Sequence, residues 1–64
     1  MLVLGVDPGT ATTGYGVVSR KSDGAVSLVE CGVIRTEAGA DLAVRLRDIH
    51  RGLVEVVERH SPDV

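Results

Sequence analysis

Asp7 is the residue of this 64-residue chain whose setting most directly implies chemistry. It closes a short apolar run, Leu2 to Val6, and is followed by Pro8-Gly9 and then, after Thr13, by a second run, Gly14-Tyr15-Gly16-Val17-Val18. A carboxylate at a strand end, beside a tight turn and opposite a second strand, is placed to hold a divalent metal or to keep a nucleotide phosphate at bay. The residue types alone allow both readings. Thr10, Thr12 and Thr13 carry hydroxyls that could touch a phosphate, although threonines in turns more often bond locally. His50 and His60 have no second His or Cys at metal-ligand spacing, and the macrodipole accounts for a histidine near a helix C-terminus.

The elements that must position Asp7 follow from hydropathy. The continuous apolar run Leu2 to Val6 predicts that Leu2 to Asp7 is a strand buried on both faces, with Val3, Gly5 and Asp7 on one of them. Pro8 and Gly9 suit the centre of a turn, Pro by its fixed φ and Gly by tolerating φ > 0. Gly14 to Arg20 is the second strand, and Lys21-Ser22-Asp23-Gly24 is a hairpin connection to a third, about residues 25–35. Val26 and Leu28 fall out of phase with Cys31 and Val33, so a bulge or bend is expected at Gly32.

From about Asp41 the apolar period becomes helical. Leu42, Leu46, Ile49, Leu53 and Val56/Val57 form a stripe predicted to dock on the sheet, while Arg45, Asp48, Arg51, Glu55 and Arg59 form a solvated face. Asp41 suits the N-cap or first turn, and Pro62 stops the helix near His60. Gly52, costly inside a helix, is expected where helix and sheet approach closely. Val64 reads as the first residue of a further strand reached by a parallel crossover.

A chain of this length forms one domain at most, and such a domain buries only about 60% of the surface its unfolded chain exposes. Tyr15 is the sole aromatic, so no stacking platform for single-stranded bases exists. A formal charge of −2 with both signs interspersed lacks the basic stripe of a self-sufficient nucleic-acid binder. The single cysteine, Cys31, excludes an internal disulfide and fits a reducing cytoplasm, and no segment approaches the ~20 apolar residues of a membrane span.

Taken together, Leu4-Gly5-Val6-Asp7-Pro8-Gly9-Thr10, Thr13-Gly14-Tyr15-Gly16-Val17-Val18, Gly32-Val33-Ile34-Arg35-Thr36, Arg45-Leu46-Arg47-Asp48-Ile49 and Ser61-Pro62-Asp63 closely resemble the start of the RuvC family of bacterial Holliday-junction resolvases. The resemblance covers essentially the whole chain. It implies an α/β, ribonuclease H-like fold, here partial: three antiparallel strands, then one helix, with residues 1–64 the N-terminal portion of a single nuclease domain. The implied activity is metal-dependent cutting of four-way junction DNA in recombination and repair, with magnesium, or manganese, held by four carboxylates. Asp7 matches the first of these, as catalytic and metal-binding residue; the second is expected just past Val64 and the others near the family's C-terminus. The implied partners are a second copy in a homodimer and the RuvA-RuvB branch-migration complex, in the bacterial cytoplasm and without a membrane.

Two-metal phosphodiester hydrolysis needs several converging oxygens, so the 64-residue piece by itself is expected to be inert. Actin-like ATPases and sugar kinases open with a similar strand, Asp and turn, and the YqgF group is a nuclease-related alternative. Pro8 directly after Asp7 and the Tyr15-Gly16 pair favour the resolvase. A non-catalytic module with an exposed sheet edge is a third reading, and the open edge of Leu2–Asp7 predicts self-association as a two-fold dimer, joined through the first strands or by exchange of the helix.

Overall fold

The computed structural model describes all of residues 1–64, as β1 (Leu2–Asp7), β2 (Thr12–Arg20), β3 (Val26–Arg35) and α1 (Leu42–His60). The strands form one antiparallel sheet in the order β1-β2-β3, so the α/β pattern of three strands and a helix is the observed one. The Lys21–Gly24 hairpin connection closes as expected. Lys21 N–H donates to Ala25 O at 2.9 Å, Gly24 N–H to Lys21 O at 2.9 Å, and Gly24 takes φ 89, a conformation other residues rarely adopt.

Cross-strand register assigns the faces. Val6, Leu4 and Leu2 pair with Tyr15, Val17 and Ser19, while Asp7, Gly5 and Val3 pair with Gly14, Gly16 and Val18. The first set shares the side on which α1 packs, because Val17 and Thr13 are buried there together with Val56 of the helix. Asp7 therefore lies on the face without a helix.

Two expectations about burial change. β1 is half-buried over Leu2–Leu4, where Asp63 and Val64 lie against it, and exposed over Gly5–Asp7, including Val6 on the helix side. The helical stripe docks only in part: Val56 is buried, Ile49 and Leu53 are half-buried, and Leu42, Leu46 and Val57 stay exposed. Where α1 does meet the sheet it sits close. A methyl on Gly52 would fall 2.7 Å from Ile34 Cδ1, the close approach anticipated for that glycine.

The bulge is real but lies elsewhere. Glu30 pairs with Val17 and Leu28 with Val18, leaving Val29 as the extra residue, three positions before Gly32. This shift puts Leu28 and Val26 on the same helix-free face as Cys31 and Val33, and lets Glu30 face the helix. Asp41 is the N-cap by backbone only, its carbonyl accepting from Arg45 N–H at 3.0 Å while its exposed carboxylate caps nothing. At the other end Ser61 turns left-handed (φ 47, ψ 58) and donates to Val57 O at 2.7 Å, which stops the helix just before Pro62.

After that turn the chain returns to β1. Asp63 and Val64 N–H both donate to Leu2 O, at 2.8 and 3.3 Å, Leu4 N–H donates to Val64 O at 2.8 Å, and the Asp63 carboxylate accepts from Leu2 N–H at 2.8 Å. Bonds that bracket Val3 in this way are the parallel pattern, so Val64 lies alongside β1 in parallel. The expectation of an open β1 edge is corrected accordingly. Only the Val6 half of that edge lies beyond these bonds, and Pro8 next to it has no N–H to give.

Helix and sheet are joined at the bulge by Glu30. Its Oε1 accepts from Arg59 Nε at 3.1 Å and meets His60 Nε2 at 2.5 Å; its Oε2 accepts from Arg59 Nη2 at 2.8 Å and from the Tyr15 hydroxyl at 2.7 Å. These hydrogen bonds, Arg59 first and then His60 and Tyr15, hold the Glu30 carboxyl down at about 2. The same carboxylate raises the Tyr15 hydroxyl and the Arg59 guanidinium. Tyr15 lies across Gly32, where a methyl would fall 2.7 Å from the phenolic oxygen.

A carboxyl whose pKa is lowered on folding stabilises the fold above its unfolded value of 4.5 and loses that contribution as pH falls towards about 2. Glu30→Gln should therefore lower the thermal midpoint at neutral pH, and its deficit against the parent chain should shrink between those two values. Circular dichroism melts of both proteins across that range check this; a deficit constant with pH would contradict it. Gly32→Ala should push Tyr15 off Glu30 and lower the midpoint as well. In a Glu30→Gln background that penalty should diminish, because both changes act on one network.

Candidate functional site

Asp7 stands at the C-terminal end of β1, on the open face and opposite Gly14 in the ladder. The paired glycines Gly5 and Gly16 lie next to it, and a methyl added to either would meet nothing within 4 Å. The result is a shallow, open depression of about 460 Å³ whose lining includes Asp7, Gly5, Gly14 and Gly16. Val6, Tyr15 and Gly32 complete the lining, so the glycines leave the carboxylate open on its own face while Val6 and Tyr15 border the depression. Asp7 takes part in none of the side-chain hydrogen bonds or ion pairs, so the backbone sets its position and its oxygens are free for a ligand.

The backbone beyond Asp7 is tightly held. Thr13 is 1% exposed, and its hydroxyl donates to Gly9 O at 2.7 Å and accepts from Gly9 N–H at 3.3 Å. Gly9 is needed here for space and not for a positive φ, contrary to expectation: a methyl on it would lie 2.5 Å from Thr12 O. From the β3–α1 connection, Thr36 donates its hydroxyl to Thr10 O and its N–H to Ala11 O, the latter at 3.1 Å, while Arg45 Nε donates to the Thr36 hydroxyl at 3.1 Å. Local bonding thus accounts for the Thr13 hydroxyl, whereas Thr12 is exposed.

The remaining chemistry-bearing residues stand apart from Asp7. His60 binds Glu30 on the helix side of the sheet, and His50 is exposed on α1. Arg47 pairs with Asp48 at 3.5 Å on the exposed surface, and Cys31 is exposed and free. No three His, Cys, Asp or Glu residues converge, so the residues of this chain do not by themselves make a metal site. No helix is long and apolar enough to cross a membrane. Sequence reasoning missed the Glu30 cluster; the break in alternation around Glu30 was its one visible signal.

Comparison with known proteins places this arrangement. The family profile described as "Crossover junction endodeoxyribonuclease RuvC" matches residues 3–64. A protein of that name from Pelotomaculum thermopropionicum is 51% identical over 63 residues, covering 98% of this chain and 38% of the relative. One from Nitratidesulfovibrio vulgaris (strain DP4) is 51% identical over 61 residues, 95% of this chain and 36% of the relative. Another, from Caldanaerobacter subterraneus subsp. tengcongensis, is 44% identical over 64 residues, 100% of this chain and 38% of the relative. The chain thus spans less than two fifths of the length of the curated relatives it matches. With a profile match across nearly every residue and relatives at this level of identity, the chain belongs to the RuvC family.

Proposed function

We propose that residues 1–64 form the N-terminal portion of a single ribonuclease H-like nuclease domain, and that the full-length protein is a crossover junction endodeoxyribonuclease acting on four-way DNA. The observation that carries this reading is Asp7: an unpaired carboxylate at a strand end, over a glycine-floored open face, in a chain matched along its length by that family. The curated relatives bear the name of that activity. In this reading the protein works on junctions as a homodimer, together with the RuvA-RuvB branch-migration complex, in the bacterial cytoplasm.

Asp7 is then a catalytic carboxylate and a ligand to magnesium, with manganese as a substitute; the metal's chemistry is to activate water and neutralise charge on the phosphodiester. A single carboxylate does not complete such a site, so the other ligands come from outside these residues. What this chain contributes is Asp7 itself, the glycines Gly5, Gly14 and Gly16 that leave room beside it, and the turn that fixes its position.

In the full-length protein, Asp7→Asn keeps the shape and removes the charge. Junction cutting should fall more than about a hundredfold, beyond the effect typical of losing an outer-shell partner, with junction binding largely retained. Rates of nicking on a synthetic four-way junction, beside gel-shift affinities, check this; cutting at near the parent rate would refute the role given to Asp7. The 64-residue chain alone should show no cutting with magnesium or manganese.

A further inference from the structure

We propose that Thr13 is a positioning residue for Asp7, acting through Gly9, and that Thr36 braces the same turn from outside. The inference rests on the role given to Asp7 above.

Asp7 has no side-chain partner, so its carboxylate can be no better placed than the backbone that carries it. On its strand side that backbone is held by the ladder to Gly14. On its exit side only Pro8 separates Asp7 from Gly9, and there a single hydroxyl does the holding. The Thr13 hydroxyl has one proton to give, and it gives it to Gly9 O while accepting from Gly9 N–H. Both peptide planes of Gly9 are thereby fixed by one side chain.

A role in packing alone would not call for a hydroxyl at this place. Thr13 is 1% exposed, and a valine would fill the same volume without the cost of burying a polar group. The turn also has no slack, since a methyl on Gly9 would lie 2.5 Å from Thr12 O. Thr13 is adjacent in sequence to Gly14, which pairs with Asp7. The two supports of Asp7, ladder and turn, therefore come from neighbouring residues of β2. Thr36 adds bonds to Thr10 O and Ala11 O and is itself fixed by Arg45, so residues 9, 10 and 11 are each tied to a group outside their own peptide.

The test compares full-length Thr13→Val, Thr13→Ser, Thr36→Val and Asp7→Asn proteins, measuring junction cutting, junction affinity and hydrogen exchange at the Gly9 amide. Thr13→Val should slow cutting roughly tenfold to a hundredfold, the scale of misplacing a reacting group by about an ångström. Its junction affinity should hold, and its Gly9 amide should exchange faster. Thr13→Ser, which keeps the hydroxyl, should restore both cutting and protection. Cutting within about threefold of the parent rate by Thr13→Val, or loss of cutting in Thr13→Ser despite a protected Gly9 amide, overturns the proposal. If Thr13→Val does not fold, Thr36→Val decides: a loss of about tenfold supports the braced turn, and a rate within about threefold of the parent overturns it. Full activity in Asp7→Asn would defeat the role of Asp7 and this inference together. An inactive Asp7→Asn beside an unimpaired Thr13→Val would defeat this inference alone.

Discussion

The attachment of α1 to the sheet depends on one carboxylate. Only Val17, Val56 and Thr13 are sealed from water, too small a core to fix a 19-residue helix by apolar burial alone. Glu30 supplies direction where burial does not, because its two oxygens face Arg59 and His60 from the helix and Tyr15 from β2 at once. The bulge at Val29 makes this possible by turning Glu30 towards the helix while Leu28 turns away. Since the last turn of α1 is anchored there, the residues after Ser61 leave the helix at a defined place, and Asp63 and Val64 reach the β1 edge.

Glu30 and Asp7 lie on opposite faces of the sheet and differ in their partners. Glu30 is neutralised by two cationic or potentially cationic side chains on the helix face. Asp7, on the other face at the end of β1, has no such partner. One carboxylate is committed to the fold and the other is left available to a ligand. The first is therefore the one whose titration bears on stability.

Much of this was legible in the residues. The run Leu2–Asp7, the Lys21–Gly24 connection and the helical period from Leu42 gave the element order, because hydropathy period and turn chemistry are local properties. Gly52 was read correctly as a close approach for the same reason: a glycine inside a good helix needs a neighbour to explain it. What the sequence concealed was relational. The bulge sits at Val29 instead of Gly32 because strand register is settled by which residue must face the helix, and that residue is Glu30. Gly9 seemed to need a positive φ and instead needs room for Thr12 O, a contact across the turn that no dipeptide pattern encodes. Asp7 was legible as a type of residue at a type of place; its lack of any partner and the brace behind it required coordinates.

The same register explains why the approach to Asp7 is open. Along the helix-free face, the end near the Lys21–Gly24 connection carries Val3, Val18, Leu28 and Val26, and the bulge adds the last two. Towards Asp7 the ladder positions on β1 and β2 become Gly5, Gly16 and Gly14. The ladder positions directly beside the carboxylate are therefore glycines, while β3 contributes Cys31 and Val33 next to them and Arg35, opposite Thr12, beyond Gly14 on the same face. A sheet that needed its open face only for packing would gain from a side chain at each of these positions, since Gly weakens a strand interior. Glycines there are consistent with a face kept low where something must come close to Asp7, at a cost in strand stability that the Glu30 anchor on the opposite face helps to offset.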